Sequence, residues 1–389
     1  MRFPGFDGEW ETKKLGEIAM FSKGKGISKI DIEDDGKIEC IRYGELYTHY
    51  SEIINEIKSL TNINEADLIF SEVNDVIIPA SGESAVDIAT ASCVLKDKVA
   101  LGGDLNIIKT NNNGVFLAYY LNNKKKLKIA SLAQGVSVVH LYSSQLATLS
   151  LNLPKLNEQK KISSFLALLD ERIQTQNKII EELSVLKTNI AKKIFSQKIR
   201  FKNNDRSKFP EWMNKKFREI ATITMGQSPE STSYNVEGIG FPLIQGNADI
   251  LNRLSAPRQY TKNPTKKCDI GDVLLTVRAP VGYVSKSLHN ACIGRGICSI
   301  KSNKHSSNEF IYQFLLYYEN KWKSLEQGST FTSINSSDIG SITIKIPCIE
   351  EQLKISKLLF SIDLKINTEI QLLQRLEEQK HYLLQQMFI

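Results

Sequence analysis

Leu151-Asn152-Leu153-Pro154, then Glu158-Gln159 and Lys161-Ile162, open a run of Ile162, Leu166, Leu169, Ile173, Ile180, Leu183, Ile190 and Ile194. The stretch is written twice. Adding 193 to each number of the run gives Ile355, Leu359, Ile362, Ile366, Leu373, Leu376, Leu383 and Met387. The register holds without a gap over 151 to 196 and 344 to 389, the mark of an internal repeat. Apolar residues recurring at steps of three and four make the stripe of a long helix. For residues 157 to 196 that helix would run about 60 Å at 1.5 Å per residue. Its start signals are Pro154, Asn157 as N-cap and Glu158 in the first turn.

Polar residues interrupt the stripe at matching places, Gln176 and Lys187 in the first copy, Glu369 and Lys380 in the second. A polar residue on a seam costs stability and fixes register. If the two helices pack antiparallel about a pseudo-dyad, one register satisfies every layer. It sets Lys187 against Glu369, Gln176 against Lys380, Ile180 against Leu376 and Ile194 against Ile362. The plainer alternative is that each helix only caps its own domain.

The repeat extends upstream. Glu9-Trp10, Lys13-Lys14, Glu17-Ile18-Ala19 and Gly24 reappear as Glu211-Trp212, Lys215-Lys216, Glu219-Ile220-Ala221 and Gly226, so half of positions 9 to 24 are identical at an offset of 202. Unrelated segments of average composition would share about one position in sixteen. Weaker echoes follow in order. Asn74-Asp75-Val76-Ile77-Ile78 answers Gly271-Asp272-Val273-Leu274-Leu275, each reading as a buried strand after an acidic turn. Phe116 to Leu121 answers Phe310 to Leu315, both expected to be short apolar helices. Gln134-Gly135-Val136-Ser137 with Leu141 answers Gln327-Gly328-Ser329-Thr330 with Ile334. The expected fold class is α+β, two mixed domains each followed by a long helix. The expected boundaries are 1–152 and 209–346 for the domains, 153–199 and 347–389 for the helices, and 200–208 for a polar, exposed linker.

A chain of 389 residues, 41% hydrophobic and 24% charged, has room for two cores and an ordinary globular balance. It shows no apolar run of bilayer length, and Met1-Arg2-Phe3-Pro4 begins no signal peptide. Six scattered cysteines without a Cys-x-x-Cys read as reduced core thiols of a cytoplasmic protein rather than a zinc site. The net charge of +7 is unevenly shared. Residues 1–152 carry 16 basic and 20 acidic groups, a balance of −4, while residues 200–346 carry 20 and 12, a balance of +8. The second domain has the footprint of a polyanion binder and the first does not.

No catalytic constellation emerges. There is no phosphate-binding G-x-x-x-x-G-K-[S/T] loop, no dinucleotide fingerprint and no Asn-Pro-Pro-Tyr or Asp-Pro-Pro-Tyr. Ser22-Lys23-Gly24-Lys25-Gly26 reads as a turn. The five histidines cluster with nothing. Such a chain reads as a binding and organising subunit without metal or cofactor of its own.

The assembled pattern resembles a known family. Gln327-Gly328-Ser329-Thr330, Ile334-Asn335, Ile346-Pro347, Glu351-Gln352 and Ile355 look like the specificity subunit of type I restriction-modification systems, the match covering nearly the whole chain. The first half departs from it at Val136 and at His140-Leu141 in place of Ser333-Ile334. The resemblance implies two target-recognition domains, each reading one half of a split double-stranded DNA sequence, with paired helices as a ruler for the gap. It also implies two methylation subunits and two restriction subunits as partners, which would carry S-adenosylmethionine, ATP and Mg2+, and no catalysis by this chain.

The candidate DNA-reading residues are Gln245, Asn247, Arg278, Arg295, Ser329, Thr330 and Ser333 in the second domain. Arg278 follows a strand-like run and precedes Ala279-Pro280-Val281-Gly282, so it should stand in a turn where a guanidinium can meet guanine. Arg42, Tyr43, Gln134, Ser137 and His140 are the first-domain candidates. Trp10 and Trp212 read as core anchors. Two other classes compete with DNA recognition: a coiled-coil scaffold joining protein-binding domains, and a self-contained methyltransferase or nuclease, which would need a cofactor site.

Overall fold

The computed structural model describes residues 2–326 and 333–388. The fold is α+β and divides into two compact units. The first combines Met1–Asn177 with Gln371–Ile389, and the second is Lys178–Ile370. Both boundaries fall inside long helices, Leu156–Phe195 and Ile349–Met387. The first helix starts before its expected cap. The amides of Glu158 and Gln159 already donate to the Lys155 carbonyl, which places Asn157 within the first turn instead of ahead of it.

In the first unit, a five-stranded sheet is built from Ala19–Lys23, Leu105–Thr110, Asp75–Pro79, Ser92–Val94 and Ile53–Ile54. A separate three-stranded sheet is built from Ser59–Thr61, Ile38–Ile41 and Ala100–Leu101. In the second unit, six strands include Ala221–Met225, Ile297–Ser302 and Val273–Thr276, and a five-stranded sheet is built around Phe241–Ile244 and Ala291–Ile293. The ladder that closes each domain carries both sequence offsets at once. Glu11 pairs with Leu153 and Lys14 with Ser150, as Met213 pairs with Ile346 and Lys216 with Thr343.

The acidic turns before the buried strands have a physical cause. Asp75 and Asp272 are buried and fold back on the chain, accepting the amides of Glu72 at 2.9 Å and Asp269 at 3.0 Å. The turn needs a left-handed residue just before each aspartate, supplied by Asn74 at φ 82° and Gly271 at φ 87°. Neither of the two helices expected to be short is short. Gly114–Tyr120 passes without a break through a π-helical turn, Leu121–Lys125, into Lys126–Leu132, and Asn308–Glu326 likewise runs on for 19 residues, because neither sequence carries a breaker after its apolar start.

Each domain core is completed by the end of a long helix. In the first unit, Leu384, Met387 and Phe388 join Phe116, Tyr120, Ile162 and Leu166. Phe388 stands edge-on to Phe116 at 5.6 Å and to Tyr120 at 5.5 Å. In the second unit, Ala191 and Ile194 join Phe310, Phe314, Ile355 and Leu359, with Phe195 edge-on to Phe310 at 5.8 Å and to Phe314 at 5.6 Å. Phe195 and Phe388 are the same residue of the repeat, 193 apart. Within each unit the two helical segments therefore run antiparallel.

The seam ion pairs differ from the expected register. Lys187 meets Asp363 at 2.5 Å and Lys380 meets Asp170 at 2.5 Å. The expected partners were Glu369 and Gln176. Asp170 and Asp363 flank the stripe next to Leu169 and Ile362, and a lysine stem is long enough to leave the seam for a flanking carboxylate. These two pairs are themselves related by the offset of 193. Asp363 also accepts from Gln313 at 2.8 Å, and Asp170 from the Tyr119 hydroxyl, so each carboxylate ties its helix to its domain. Burial, reinforced by the Asp170 charge, pushes the Tyr119 phenol far up from its ordinary value.

The repeated Glu-Gln is buried and acts as a bracket. Gln159 accepts the Asn113 amide at 3.0 Å and donates to the Pro154 carbonyl at 2.9 Å. Gln352 accepts the Ser307 amide at 3.0 Å and donates to the Pro347 carbonyl at 2.9 Å. Glu158 takes a two-pronged contact from Arg2, and Glu351 takes one from Arg200 together with the Trp212 indole at 3.0 Å. Trp10 differs from its counterpart, its buried indole nitrogen having no hydrogen-bond partner. The linker is less free than its composition suggests. Arg200 is committed to Glu351, and Lys354 donates to the Lys202 carbonyl at 2.7 Å and to Asn204 at 3.0 Å.

Among the described residues, no helix is long and apolar enough to cross a membrane. No group of three or more His, Cys, Asp or Glu side chains among them could hold a metal ion. The cysteines are free, and burial pushes the thiols of Cys40, Cys93 and Cys298 up to about 12.

Candidate nucleic-acid interface

A cleft of about 280 Å³ in the second unit is lined by Ser228, Gln245, Gly246, Asn247, Arg278, Ala279, Arg295 and Gly296. Four of the expected residues, Gln245, Asn247, Arg278 and Arg295, thus come together from three separate loops. Gln245 and Asn247 follow the buried strand Phe241–Ile244. Arg278 stands exposed two residues beyond Val273–Thr276, and Arg295 lies exposed between Ala291–Ile293 and Ile297–Ser302. Ser333 reaches the same place through a β-bridge to Arg278. Ser329 and Thr330 lie outside the described residues.

Backbone hydrogen bonds pin the loops to one another. Gly294 donates to the Ile244 carbonyl at 2.8 Å, Gly296 to Gln245 at 3.0 Å and Val277 to Gly296 at 2.9 Å. The crossing is too close for a side chain at Gly226, where a Cβ would lie 2.1 Å from the Gly294 carbonyl oxygen. Buried Asp249 holds the first loop, accepting the Gln245 amide at 2.8 Å and the Arg258 guanidinium at 3.1 Å. The loops are fastened to one another by backbone hydrogen bonds, and their lip is polar. Among the described residues, the side chains of Arg278 and Arg295 have no ion-pair or hydrogen-bond partner.

The first unit builds the same crossing. Gly102 donates to the Ile41 carbonyl at 2.9 Å, Ala80 to Asp104 at 2.8 Å and Leu141 to Ala80 at 2.9 Å, matching Gly294, Val277 and Ile334. The match makes Arg42 the equivalent of Gln245, Tyr43 of Gly246, Ser81 of Arg278, Gly103 of Arg295 and His140 of Ser333. Arg42 is not a free reader. Its amide and guanidinium bind buried Glu45 at 2.9 and 3.3 Å, the counterpart of Asp249, because the acid needed to hold the loop also attracts the nearest cation. Tyr43 packs half-buried against the core around Ile41 and Leu46. Gln134 and His140 exchange backbone hydrogen bonds of 2.9 and 2.7 Å across a turn that carries exposed Ser137. His140 stacks on Tyr142 at 6.3 Å.

Ser81, Lys25, Glu45 and Ser228 belong to these lips and were missed. The signal for Ser81 was present, since the offset of 197 that aligns Asp75 with Asp272 also carries Ser81 onto Arg278. Ser228 and Glu45 act through folding back onto loop amides, which no spacing announces.

Two copies of one α+β domain, each presenting a loop-built polar lip and each completed by the end of a long helix, define a duplicated recognition protein. The type I restriction modification DNA specificity domain matches residues 7–185 and again 210–378. The chain is 33% identical over 383 residues to the putative type I restriction enzyme MjaX specificity subunit of Methanocaldococcus jannaschii, covering 91% of this chain and 87% of that one. It is 26% identical over 387 residues to the MjaVIII specificity subunit of the same organism, covering 91% and 86%. The fold is similar to the crystal structure of the type I restriction-modification S subunit from M. genitalium, with a TM-score of 0.68 at 18% identity over 100% of this chain and 99% of that one. It is also similar to a chain solved in work on complex assembly and conformational transition of the type I R-M system, with a TM-score of 0.61 at 22% identity and 98% coverage of both. The chain belongs to the family of type I restriction-modification specificity subunits, the non-catalytic components of those enzymes.

Proposed function

We propose that this subunit reads a bipartite DNA sequence, one half-site per domain, with the long helices setting the gap. The convergence of Gln245, Asn247, Arg278 and Arg295 on one lip is the observation that carries the reading. Arginine can meet guanine O6 and N7 bidentately, and Asn or Gln can do the same at adenine N6 and N7. In the first domain the corresponding groups are Arg42, Tyr43, Ser81 and His140, with Gln134 and Ser137 on the adjoining turn. Gln176, Lys187, Glu369 and Lys380 serve the pairing of the helices. The subunit works in the cytoplasm as the organiser of two methylation and two restriction subunits. S-adenosylmethionine, ATP and Mg2+ belong to those partners, and this chain binds none of them.

The test is to express the chain with a cognate methylation subunit and map N6-methyladenine across the host genome by single-molecule sequencing. Two short half-sites separated by a fixed gap of any sequence are the expected outcome. Absence of new methylation, with both proteins folded and bound to each other, would instead favour a scaffold that joins proteins without reading DNA.

A further inference from the structure

The matched loop crossings show that the two lips place their cations at exchanged positions. Lys25 donates its amide to the Leu101 carbonyl at 2.9 Å and Gln227 donates to Ile293 at 2.9 Å, so these two are equivalent. Four equivalent pairs follow: Lys25 with Gln227, Arg42 with Gln245, Ser81 with Arg278 and Gly103 with Arg295. Each pair contains one cation. In the first domain both cations already have a carboxylate beside them, Lys25 an exposed partner, Asp67, at 3.4 Å and half-buried Arg42 the buried Glu45 at 3.3 Å. In the second domain both are exposed, and among the described residues their side chains have no partner.

We infer that the two domains divide the binding of DNA unequally. The second domain supplies the ionic hold on the polyanion through Arg278 and Arg295, and the first discriminates its half-site with little net charge. The segment balances of +8 and −4 run the same way. A cation with a carboxylate beside it brings little net positive charge to the phosphates, so it releases few counterions and its gain on binding is small. An unpaired guanidinium brings its full charge. The inference rests on the proposed DNA-reading role of the two lips.

The experiment measures DNA affinity of the complex with its methylation subunit as a function of salt, using a duplex that carries the full split site. One variant is Arg278→Ser with Arg295→Ala, and the other is Lys25→Gln with Arg42→Gln. The first-domain changes install the residues of the other lip. The Glu45 carboxylate keeps its bonds from the residue 42 amide and the Ser59 hydroxyl, so its charge stays anchored. Thermal melts of each complex confirm folding. Each phosphate neutralised contributes about 0.9 to the slope of log K against log salt. The second-domain variant should lower the slope by nearly 2 and the first-domain variant by less than about 0.5. Equal losses, or a larger loss in the first-domain variant, would overturn the unequal division while leaving the proposed function intact. Failure of the unaltered complex to prefer the split-site duplex over a scrambled one would instead sink the underlying reading, and this inference with it.

Discussion

Arg200 and Arg2 carry out one task at the entrances to the two domains, and neither is visible in any motif. Each closes on a carboxylate that is almost fully buried, Glu351 or Glu158, with hydrogen bonds as short as 2.9 and 2.8 Å. The Glu351 contact raises the Arg200 pKa further above its ordinary value, the side-chain hydrogen bond being the main cause. Removing one member of a buried pair leaves the other charge without a partner, at roughly 3 kcal/mol or more. Arg200→Ala should therefore lower the urea midpoint of the second unit far more than truncation of an exposed arginine such as Arg206. The seam lysines allow a sharper test. A double-mutant cycle on Lys187 and Asp363 should give a coupling of about 1 kcal/mol, and Lys380 with Asp170 a similar one. Lys187 with Asp170, which shares no contact, should be additive within about 0.5 kcal/mol. The lysine positions were legible because they break an apolar stripe. Their partners were not, because Asp170 and Asp363 lie beside the stripe, where spacing offers no reason to prefer one acid over another.

At the scale of the element, the long helices are shared property. Each helix begins with the domain it follows in sequence and ends in the core of the other. Phe388 is 2% exposed against Phe116 and Tyr120 of the first unit, and Phe195 packs on Phe310, Phe314 and Tyr317 of the second. Truncating such a ring costs about 3–5 kcal/mol when it is fully buried. Phe388→Ala should thus loosen the first domain and Phe195→Ala the second, the latter somewhat less because its ring is part-exposed. Hydrogen exchange resolved by peptide checks the crossing, with faster exchange expected at 114–120 for one variant and at 308–318 for the other. The repeat itself made the two long helices readable and suggested their antiparallel sense, while the closing strands went unread. A heptad pattern specifies a face, however, and says little about which domain lies under each end. The lips were partly readable for a similar reason. Arg278 and Arg295 sit where strands must end, whereas the pinning of Arg42 by Glu45 depends on a turn that brings the acid back beneath the loop.

At the scale of the whole molecule, duplication has been followed by unequal drift. The scaffold kept its hydrogen bonds almost one for one, including the glycine crossing, the folded-back aspartates and the Glu-Gln bracket. The lips kept none of their four side-chain identities at the exchanged positions. That is how a fold changes what it recognises without changing how it stands, since loops held by backbone contacts tolerate new side chains. The legible part of this protein is accordingly what the two halves have in common. What remained hidden is what differs between them, and that difference is where specificity is expected to lie.

The discontinuous make-up of the first unit also orders events on the ribosome. Residues 178–370 form the second unit without interruption, but the first needs Leu384, Met387 and Phe388 to complete its core. At about 5–20 residues per second, the nascent first domain waits roughly ten to forty seconds for those side chains. The domain translated first is finished after the second, and the helix turn carrying Leu384, Met387 and Phe388 is the stopper that seals it.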